Sequence, residues 1–218
     1  MTGPVFIHHH LGLGDHIVCN SIVRRAFNQF GNLILAVKHH NLSSVKQLYR
    51  DIDIEYYPVN SDSDCTPMYK VHKCIRIGFE NTKFPYWEKS FYDQVKMDYS
   101  MRFSHFFIDR DLDRESALEE KLNLPDEFAF CNISCSTGKH DIKINTKLKK
   151  VYLSPLTDSI FDWIGVLEKA TEIHIIDSSI FQLTVQFNLN SIKYFYDIRT
   201  LDSSRTLPPA EGWNIISI

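Results

Sequence analysis

Residues 4–30 read PVFIHHHLGLGDHIVCNSIVRRAFNQF and set out a strand, a glycine turn and a helix in immediate succession. The apolar start, residues 5–10, lies between a proline and a glycine, which is typical of a buried strand. Asp15 then stands where a helix N-cap is expected. The apolar stripe of the helix is formed by Ile17, Val18, Ile22, Ala26 and Phe30. Gly31 is predicted to end that helix.

This order brings backbone N–H groups and a helix N-terminus to the carboxyl end of a strand. Open α/β proteins bind phosphorylated ligands there, so Gly12 and Gly14 are candidate phosphate-binding residues. The glycine pattern is not a dinucleotide fingerprint, because the third glycine is absent, and no Gly-Lys-Ser/Thr follows it. The alternative is a tight turn in which Asp15 only caps the helix.

The composition is that of a soluble globular protein, with 218 residues, 44% hydrophobic content and a formal net charge of −3. This charge gives no reason to expect nucleic acid or an anionic membrane as a partner. No apolar run approaches the roughly 18 residues of a transmembrane segment, and no secretory signal is visible. The five cysteines are scattered. They predict reduced thiols, and therefore a cytoplasmic protein.

The first half continues in the β-α-β-α-β pattern of a doubly wound half-domain. Residues 33–37 form a continuous apolar run, typical of a strand covered on both faces. Further strands are predicted over 52–59 and 74–79, and Asn41 is expected to cap a short helix between the second and third strands. An aromatic-rich region follows, in which the spacing of Phe91, Val95 and Tyr99 predicts a helix.

The second half repeats the alternation of strands and helices after a charged helix. Residues 110–122 predict that helix, with a largely solvated face, and Pro125 marks the predicted domain boundary. Strands are predicted over 128–134, 150–153, 172–176, 192–196 and 214–218, with helices over 159–170 and 180–187. The sequence thus predicts an α/β fold of two Rossmann-like half-domains, residues 1–125 and 126–218.

A second candidate site follows the predicted strand 172–176. Asp177, Ser178 and Ser179 stand between this strand and a helix, where free N–H groups are able to face a diphosphate. The alternative is that Ser178 or Ser179 simply caps the helix. Lys139, in the polar turn after another strand, is a candidate to stabilise a leaving diphosphate. Its alternative is an ordinary exposed lysine.

Four histidines lie near the glycine turn. Alternation along a strand sends His9 to the opposite face from His8 and His10. No carboxylate or cysteine pattern completes a ligand set with His16, so no metal site is predicted. His10 or His16 instead becomes a candidate to contact phosphate or to share a proton transfer.

The step Leu13-Gly14-Asp15 after a first strand, followed by a helix bearing Arg24, resembles the N-terminal signature of the heptosyltransferase-like glycosyltransferases. The match covers the first thirty residues or so, and the family tends to carry a proline where this sequence has Ser21. The resemblance implies the two-domain GT-B fold. It also implies that Asp15 is the base that activates the acceptor hydroxyl.

The same resemblance extends to the second candidate site. GT-B enzymes hold the diphosphate of the nucleotide-sugar at a strand-to-helix turn of the C-terminal domain. The heptosyltransferase-like family has an aspartate, a serine or threonine and a glycine there, then a histidine three residues further on. Asp177 and Ser178 match the first two, whereas Ser179 replaces the glycine and Gln182 the histidine.

Together these features predict a GT-B-like glycosyltransferase whose half-domains face a cleft lined by residues 12–16 and 177–179. The acceptor-side domain is residues 1–125 and the donor-side domain residues 126–218. A nucleotide-sugar donor and a glycan or small-molecule acceptor are the expected partners, in an inverting hexosyl or heptosyl transfer without metal or cofactor. The alternatives are a catalytically silent nucleotide- or sugar-phosphate-binding protein of the same fold, and a single-domain α/β phosphoryl-handling enzyme.

Overall fold

Two parallel sheets carry the fold, one in each half of the chain. The computed structural model describes residues 3–84, 86–198 and 212–218. The chain divides into two compact units, Met1–Asp109 and Arg110–Ile218. This division lies upstream of the boundary predicted at residue 125.

The first unit is built on a four-stranded sheet in the order β3-β2-β1-β4, with every pair parallel. Short 3₁₀ turns lie at His39–Asn41, Asp62–Cys65 and Phe79–Asn81. The strands and helices, in chain order, are β1 (Val5–His8), α1 (Leu13–Val18), α2 (Asn20–Phe30), β2 (Leu33–Lys38), α3 (Leu42–Leu48), β3 (Glu55–Val59), α4 (Met68–Val71), β4 (Lys73–Arg76), α5 (Trp87–Gln94) and α6 (Met101–Ser104).

The opening strand, turn and helix form as their residue pattern predicts. All four residues of β1 are buried. The helices α1 and α2 run on across Cys19, whose N–H donates to the Asp15 carbonyl at 2.8 Å. Gly31 ends α2 in the left-handed conformation, with φ at 72°, which glycine adopts at little cost. The predicted N-cap is wrong, because the helix begins earlier: Gly12 is the N-cap and Asp15 lies in the first turn.

Apolar side chains cover this sheet through two clusters. One joins Phe6 of β1 to Ile34 and Ala36 of β2, together with Leu11 and Val59. The other packs the α1–α2 helical stretch against α5, through residues including Val18, Ile22, Phe91 and Tyr92. Burying a side chain of the size of phenylalanine or isoleucine contributes about 1.5–3 kcal/mol to stability. The strands and helices predicted from the sequence are therefore the elements whose side chains form the core of this unit.

Two local predictions in the first unit hold only in part. Asn41 stands at the N-cap of α3, but its side-chain amide donates to the Leu11 carbonyl at 3.0 Å instead of accepting from the helix. The helix predicted through Phe91, Val95 and Tyr99 ends at Gln94. Lys96 adopts a positive φ of 54°, which a continuous helix does not allow.

The second unit is built on a five-stranded sheet in the order β11-β10-β9-β5-β8, again with every pair parallel. A small antiparallel hairpin, β6–β7, follows β5. The strands and helices, in chain order, are α7 (Leu112–Leu122), β5 (Phe128–Asn132), β6 (Ser134–Cys135), β7 (Gly138–Lys139), β8 (Lys149–Tyr152), α8 (Ile164–Lys169), β9 (Glu172–Ile176), α9 (Ser179–Thr184), β10 (Ile192–Asp197) and β11 (Trp213–Ser217).

Ion pairs tie α7 to this second unit. Arg114 binds the fully buried carboxylate of Asp162 at 2.8 Å. Arg110 bridges Glu115 at 2.6 Å and Glu168 at 2.8 Å. Glu115 is buried on the side of the helix that makes these pairs, whereas Asp113 and Glu120 are exposed, so the predicted, largely solvated face of α7 is confirmed.

The helix predicted over 159–170 forms in two pieces. Ser159 caps a 3₁₀ turn, Ile160–Trp163, through a hydrogen bond from the Phe161 N–H to its hydroxyl at 3.3 Å, and α8 continues from there. Within the described residues, no helix combines the length and the apolar content that a bilayer crossing requires.

Candidate functional site

The first candidate site lies at the carboxyl end of β1. Gly12 has an extended φ of −69°, so its backbone alone does not require glycine. A Cβ at Gly12 would lie 2.5 Å from Asp15 Oδ2, so a larger residue here would require the Asp15 side chain to move. The absence of that carbon lets the Asp15 carboxylate turn back over the start of α1, where a negative charge is stabilised by the helix dipole. Gly14 and Asp15 are half-buried in the same turn.

His16, the second candidate for proton transfer, lies in the interior. It is 0% exposed, and its ring packs edge-on against His9 with centroids 4.4 Å apart. Neither His16 ring nitrogen has a hydrogen-bond partner among the described residues. Burial and the neighbouring His9 hold the pKa of His16 well below its usual value, so the ring is neutral. A ring with no exposed atom does not touch a substrate in this conformation.

The other two histidines of the cluster face the opposite side of the strand, as alternation predicts. The rings of His8 and His10 both contact the ring of Phe79, with centroids 4.8 Å and 4.6 Å away. His10 Nε2 accepts a hydrogen bond from the Phe79 N–H at 3.0 Å. Phe79 has a left-handed φ of 57°. This backbone conformation costs a non-glycine residue about 1–3 kcal/mol, and residues that adopt it are found most often at functional sites.

The structure adds three residues to this edge that the sequence analysis did not single out. Asp62, Tyr69 and Arg76 come from the 3₁₀ turn, α4 and β4, and they surround His8. Asp62 and Tyr69 belong to a polar loop without a recognisable motif, so no local signal identifies them. Only the folding of the chain brings them to the end of β1.

The second candidate site lies at the carboxyl end of β9. Ser178 occupies the N-cap position of α9, yet its side chain does not cap the helix. Its hydroxyl donates to the Ile176 carbonyl and accepts from Asn132 Nδ2, both at 3.0 Å. Asp177 is buried at 6% exposure, while Ser178 and Ser179 are half-buried. Simple capping by the Ser178 side chain, one of the two roles left open, is therefore wrong.

Asn132 is a site residue that the sequence analysis missed. It ends β5, the neighbour of β9, and its amide also donates to the Ser134 carbonyl at 3.0 Å. The sequence signal for Asn132 was a polar residue at the end of an otherwise apolar strand. Lys139 lies exposed on the hairpin that follows β5. Because β5 and β9 are parallel neighbours, the hairpin and the turn at 177–179 leave the sheet at the same edge.

The two candidate sites belong to different units, the glycine turn to the first and the turn at 177–179 to the second. The cleft that would join them stays a prediction. A cavity of about 310 Å³ lies within the first unit, and none of the predicted site residues lines it. Its lining includes Arg24, which donates to both carboxylate oxygens of Asp51 at 2.8 Å. Arg24 therefore acts in the packing of this unit.

Comparison with known proteins shows what the fold resembles. The crystal structure of the glycosyl transferase family 9 protein from Veillonella parvula DSM 2008 superposes with a TM-score of 0.65 at 9% identity, covering 100% of this chain and 88% of its own. The ADP-heptose lps heptosyltransferase II of E. coli superposes with a TM-score of 0.56 at 10% identity, covering 98% and 90%.

No protein-family model matches the chain, and no curated protein matches it by sequence. At these identities the likeness shows the fold alone. It confirms the predicted class: an α/β chain with parallel sheets and a heptosyltransferase-like glycosyltransferase fold.

Proposed function

We propose that this protein is a glycosyltransferase that moves a sugar from a nucleotide-sugar donor to a hydroxyl of a glycan or small-molecule acceptor. The observation that carries the proposal is the likeness to two glycosyltransferases over essentially the whole chain, both units included. The polar turns at the carboxyl ends of β1 and β9 support it, since open α/β folds bind their ligands at such edges. ADP-heptose, named for one of these structures, is the first donor to test.

The proposed chemistry is an inverting displacement. Asp15 takes the proton of the acceptor hydroxyl as its oxygen attacks the anomeric carbon, and the bond from that carbon to the diphosphate oxygen breaks. Lys139 supplies positive charge to the departing diphosphate, and the backbone N–H groups of Ser178 and Ser179, together with the Ser179 hydroxyl, donate hydrogen bonds to it. The scheme needs no metal ion and no cofactor. A cytoplasmic location agrees with a nucleotide-sugar donor.

A catalytically silent nucleotide- or sugar-phosphate-binding protein of the same fold is the second candidate. One observation favours it: Gln182, which replaces the histidine of the family pattern, is only 2% exposed. A side chain buried to that degree does not reach a bound diphosphate, so the diphosphate would have one contact fewer at this turn. The single-domain alternative has less support, because the chain divides into two units.

A thermal-shift screen followed by a product assay tests the proposal. A ligand that binds only the folded state raises the melting temperature, so we expect stabilisation by nucleoside diphosphates and by their sugar conjugates. ADP-heptose and other nucleotide-sugars are then incubated with candidate acceptors, and release of the nucleoside diphosphate is measured. Release supports the transferase. Stabilisation without release by any pair supports the silent binder, and no stabilisation by any nucleotide contradicts both.

Replacing Ser178 and Ser179 together by alanine is expected to weaken nucleotide binding roughly tenfold to a hundredfold. The Ser178 hydroxyl already donates to the Ile176 carbonyl, so the double change removes one donor to the diphosphate, the Ser179 hydroxyl. One hydrogen bond to a charged group contributes about 1.5–3 kcal/mol, which corresponds to that range. The dissociation constant for the nucleoside diphosphate is measured by calorimetry. Ser159→Ala is the matched control, since it removes a hydroxyl that caps a 3₁₀ turn in the same unit. An unchanged affinity in the double variant would mean that the two serines serve only the fold.

A further inference from the structure

His8 is held between an acid and a hydroxyl from a later part of the chain. Its Nε2 lies 2.9 Å from Asp62 Oδ1, and its Nδ1 is hydrogen-bonded to the hydroxyl of Tyr69. The histidine is buried at 1% exposure, whereas the Asp62 side chain is 54% exposed and Tyr69 36% exposed. A buried imidazole thus joins two oxygen-bearing groups that both reach solvent.

This geometry fixes where the protons lie. An ionised carboxylate only accepts, so the Nε2 of His8 carries the hydrogen that Asp62 receives. Burial lowers the pKa of His8 and keeps the ring neutral, which leaves a lone pair on Nδ1. Tyr69 therefore donates its hydroxyl proton to His8. With that proton committed inward, the phenol oxygen only accepts hydrogen bonds; the Arg76 side chain is one donor to it, and a ligand hydroxyl is able to be another.

The surroundings give these oxygens neighbours suited to a sugar. Arg76 lies beside the Tyr69 hydroxyl, and its guanidinium carbon is 4.2 Å from the ring centroid of Phe79. The half-buried Phe79 ring supplies an apolar face next to His8. An apolar surface with a few convergent polar groups is the usual make-up of a small-molecule site.

We propose that the oxygens of Tyr69 and Asp62 form a subsite for two hydroxyl groups of a sugar acceptor, with His8 as the positioning residue. This assignment rests on the proposed transferase function and names the class of its acceptor. The two acceptor oxygens are bound to opposite nitrogens of the His8 ring, so they select a ligand that offers two O–H donors spaced to reach both. A ligand without such donors displaces water from both oxygens and does not replace its hydrogen bonds, which costs affinity.

Covalent labelling reports on this subsite without any turnover. The probe is 4-(2-aminoethyl)benzenesulfonyl fluoride, which forms an O–S bond with a tyrosine while the S–F bond breaks, fluoride leaves and the phenol proton passes to a base. Because His8 accepts that proton, we expect Tyr69 to label at least about tenfold faster than Tyr86. Tyr86 is the control because it is 71% exposed, so access alone would favour it. Peptide mass spectrometry measures both rates.

Two further arms separate the proposal from a structural role. Asp62→Asn lets the amide donate to His8 Nε2, which moves the ring hydrogen to Nδ1 and removes the proton acceptor of Tyr69. We expect Tyr69 labelling to slow to the rate of Tyr86 in this variant. Saturating D-mannose should slow the labelling of Tyr69 several-fold and leave Tyr86 unchanged, whereas cyclohexanol should protect neither. Labelling of Tyr69 no faster than Tyr86, or no protection by mannose, would overturn the proposal.

Kinetics distinguish this subsite from the transferase assignment itself. With an active donor and acceptor pair, Tyr69→Phe should raise the acceptor KM about tenfold and leave kcat within about twofold, the pattern of lost ground-state binding. An unchanged KM would refute the subsite while the transferase stands. Failure of every donor would refute the transferase, and mannose protection of Tyr69 would still report the sugar subsite.

Discussion

Replacing Asp15 by asparagine is expected to lower the rate of sugar transfer by about a hundred- to ten-thousand-fold, the usual effect of removing a general base. The side chain keeps its size and its place in the first turn of α1. It loses the interaction of its charge with the helix dipole, about 0.3–1 kcal/mol. Donor binding and folding should therefore hold while transfer collapses. The measurements are nucleoside diphosphate release, donor affinity and melting temperature.

A matched control exists at another helix start. Asp111 is the N-cap of α7, and its carboxylate accepts a hydrogen bond from the Arg114 N–H at 3.2 Å. Asp111→Asn makes the same carboxylate-to-amide change in the second unit and should leave the rate of transfer unchanged. Turnover at the wild-type rate in a folded Asp15→Asn variant would mean that Asp15 serves only the helix start, and that another group takes the proton.

The sheets were predictable from sequence because their signals are local. The apolar run at residues 33–37 predicts β2, since a parallel strand buried on both faces has no polar alternation. The strand Glu172–Ile176 has the same bounds in the structure as in the prediction. Gly31 ends α2 as expected because a left-handed residue after a helix favours glycine. In each case the deciding residues are neighbours in the chain.

Helix starts were harder to predict than sheets, since several residues compete for the N-cap. Asp15 carries the favoured side chain, but Gly12 is the cap, and the Asp15 carboxylate lies close to Gly12 from within the first turn. Asn41 also has a capping side chain, yet a carbonyl of the neighbouring loop is its partner. N-cap propensity identifies the residues that are able to cap a helix, whereas tertiary contacts decide which of them does so.

The partners within each candidate site were beyond the reach of sequence patterns. Ser178 meets Asn132 across two neighbouring strands, 46 residues apart in the chain. His8 meets Asp62 and Tyr69 at separations of 54 and 61 residues. No motif spacing encodes such pairs, because strand order in the sheet brings them together. The location of the sites at strand ends was predictable, while the hydrogen bonds that orient their side chains were not.

The free energy of unfolding is expected to fall as the pH drops from 6.5 towards 4, because His9 is buried in neutral form. Burial lowers its pKa to about 4. Below pH 6.5 the unfolded chain binds a proton at this histidine, whereas the folded chain binds it only near pH 4. Protonation thus favours the unfolded state across this interval, and the stability present above pH 6.5 is progressively lost. The shift corresponds to about 3 kcal/mol.

His16 acts in the same direction, since burial also lowers its pKa and its ring lies against His9. Urea denaturation at several pH values between about 7 and 4.5 measures the dependence. His9→Asn is the informative variant: the amide nitrogen is able to keep the bond that His9 Nδ1 makes to the His10 carbonyl at 2.7 Å, and it does not titrate. Its stability at pH 7 should drop through lost packing, but its pH slope should be shallower than that of the wild type.

An exposed histidine supplies the control for this slope. His39 lies on the surface at the end of β2, so His39→Asn makes the same substitution where the side chain is not buried and serves as the matched variant. The buried His174 of the second unit also has a lowered pKa and adds its own dependence. Both variants retain it, so the difference between them isolates His9. Equal slopes in the wild type and in His9→Asn would mean that the folded protein accepts a proton at His9 as readily as the unfolded chain does.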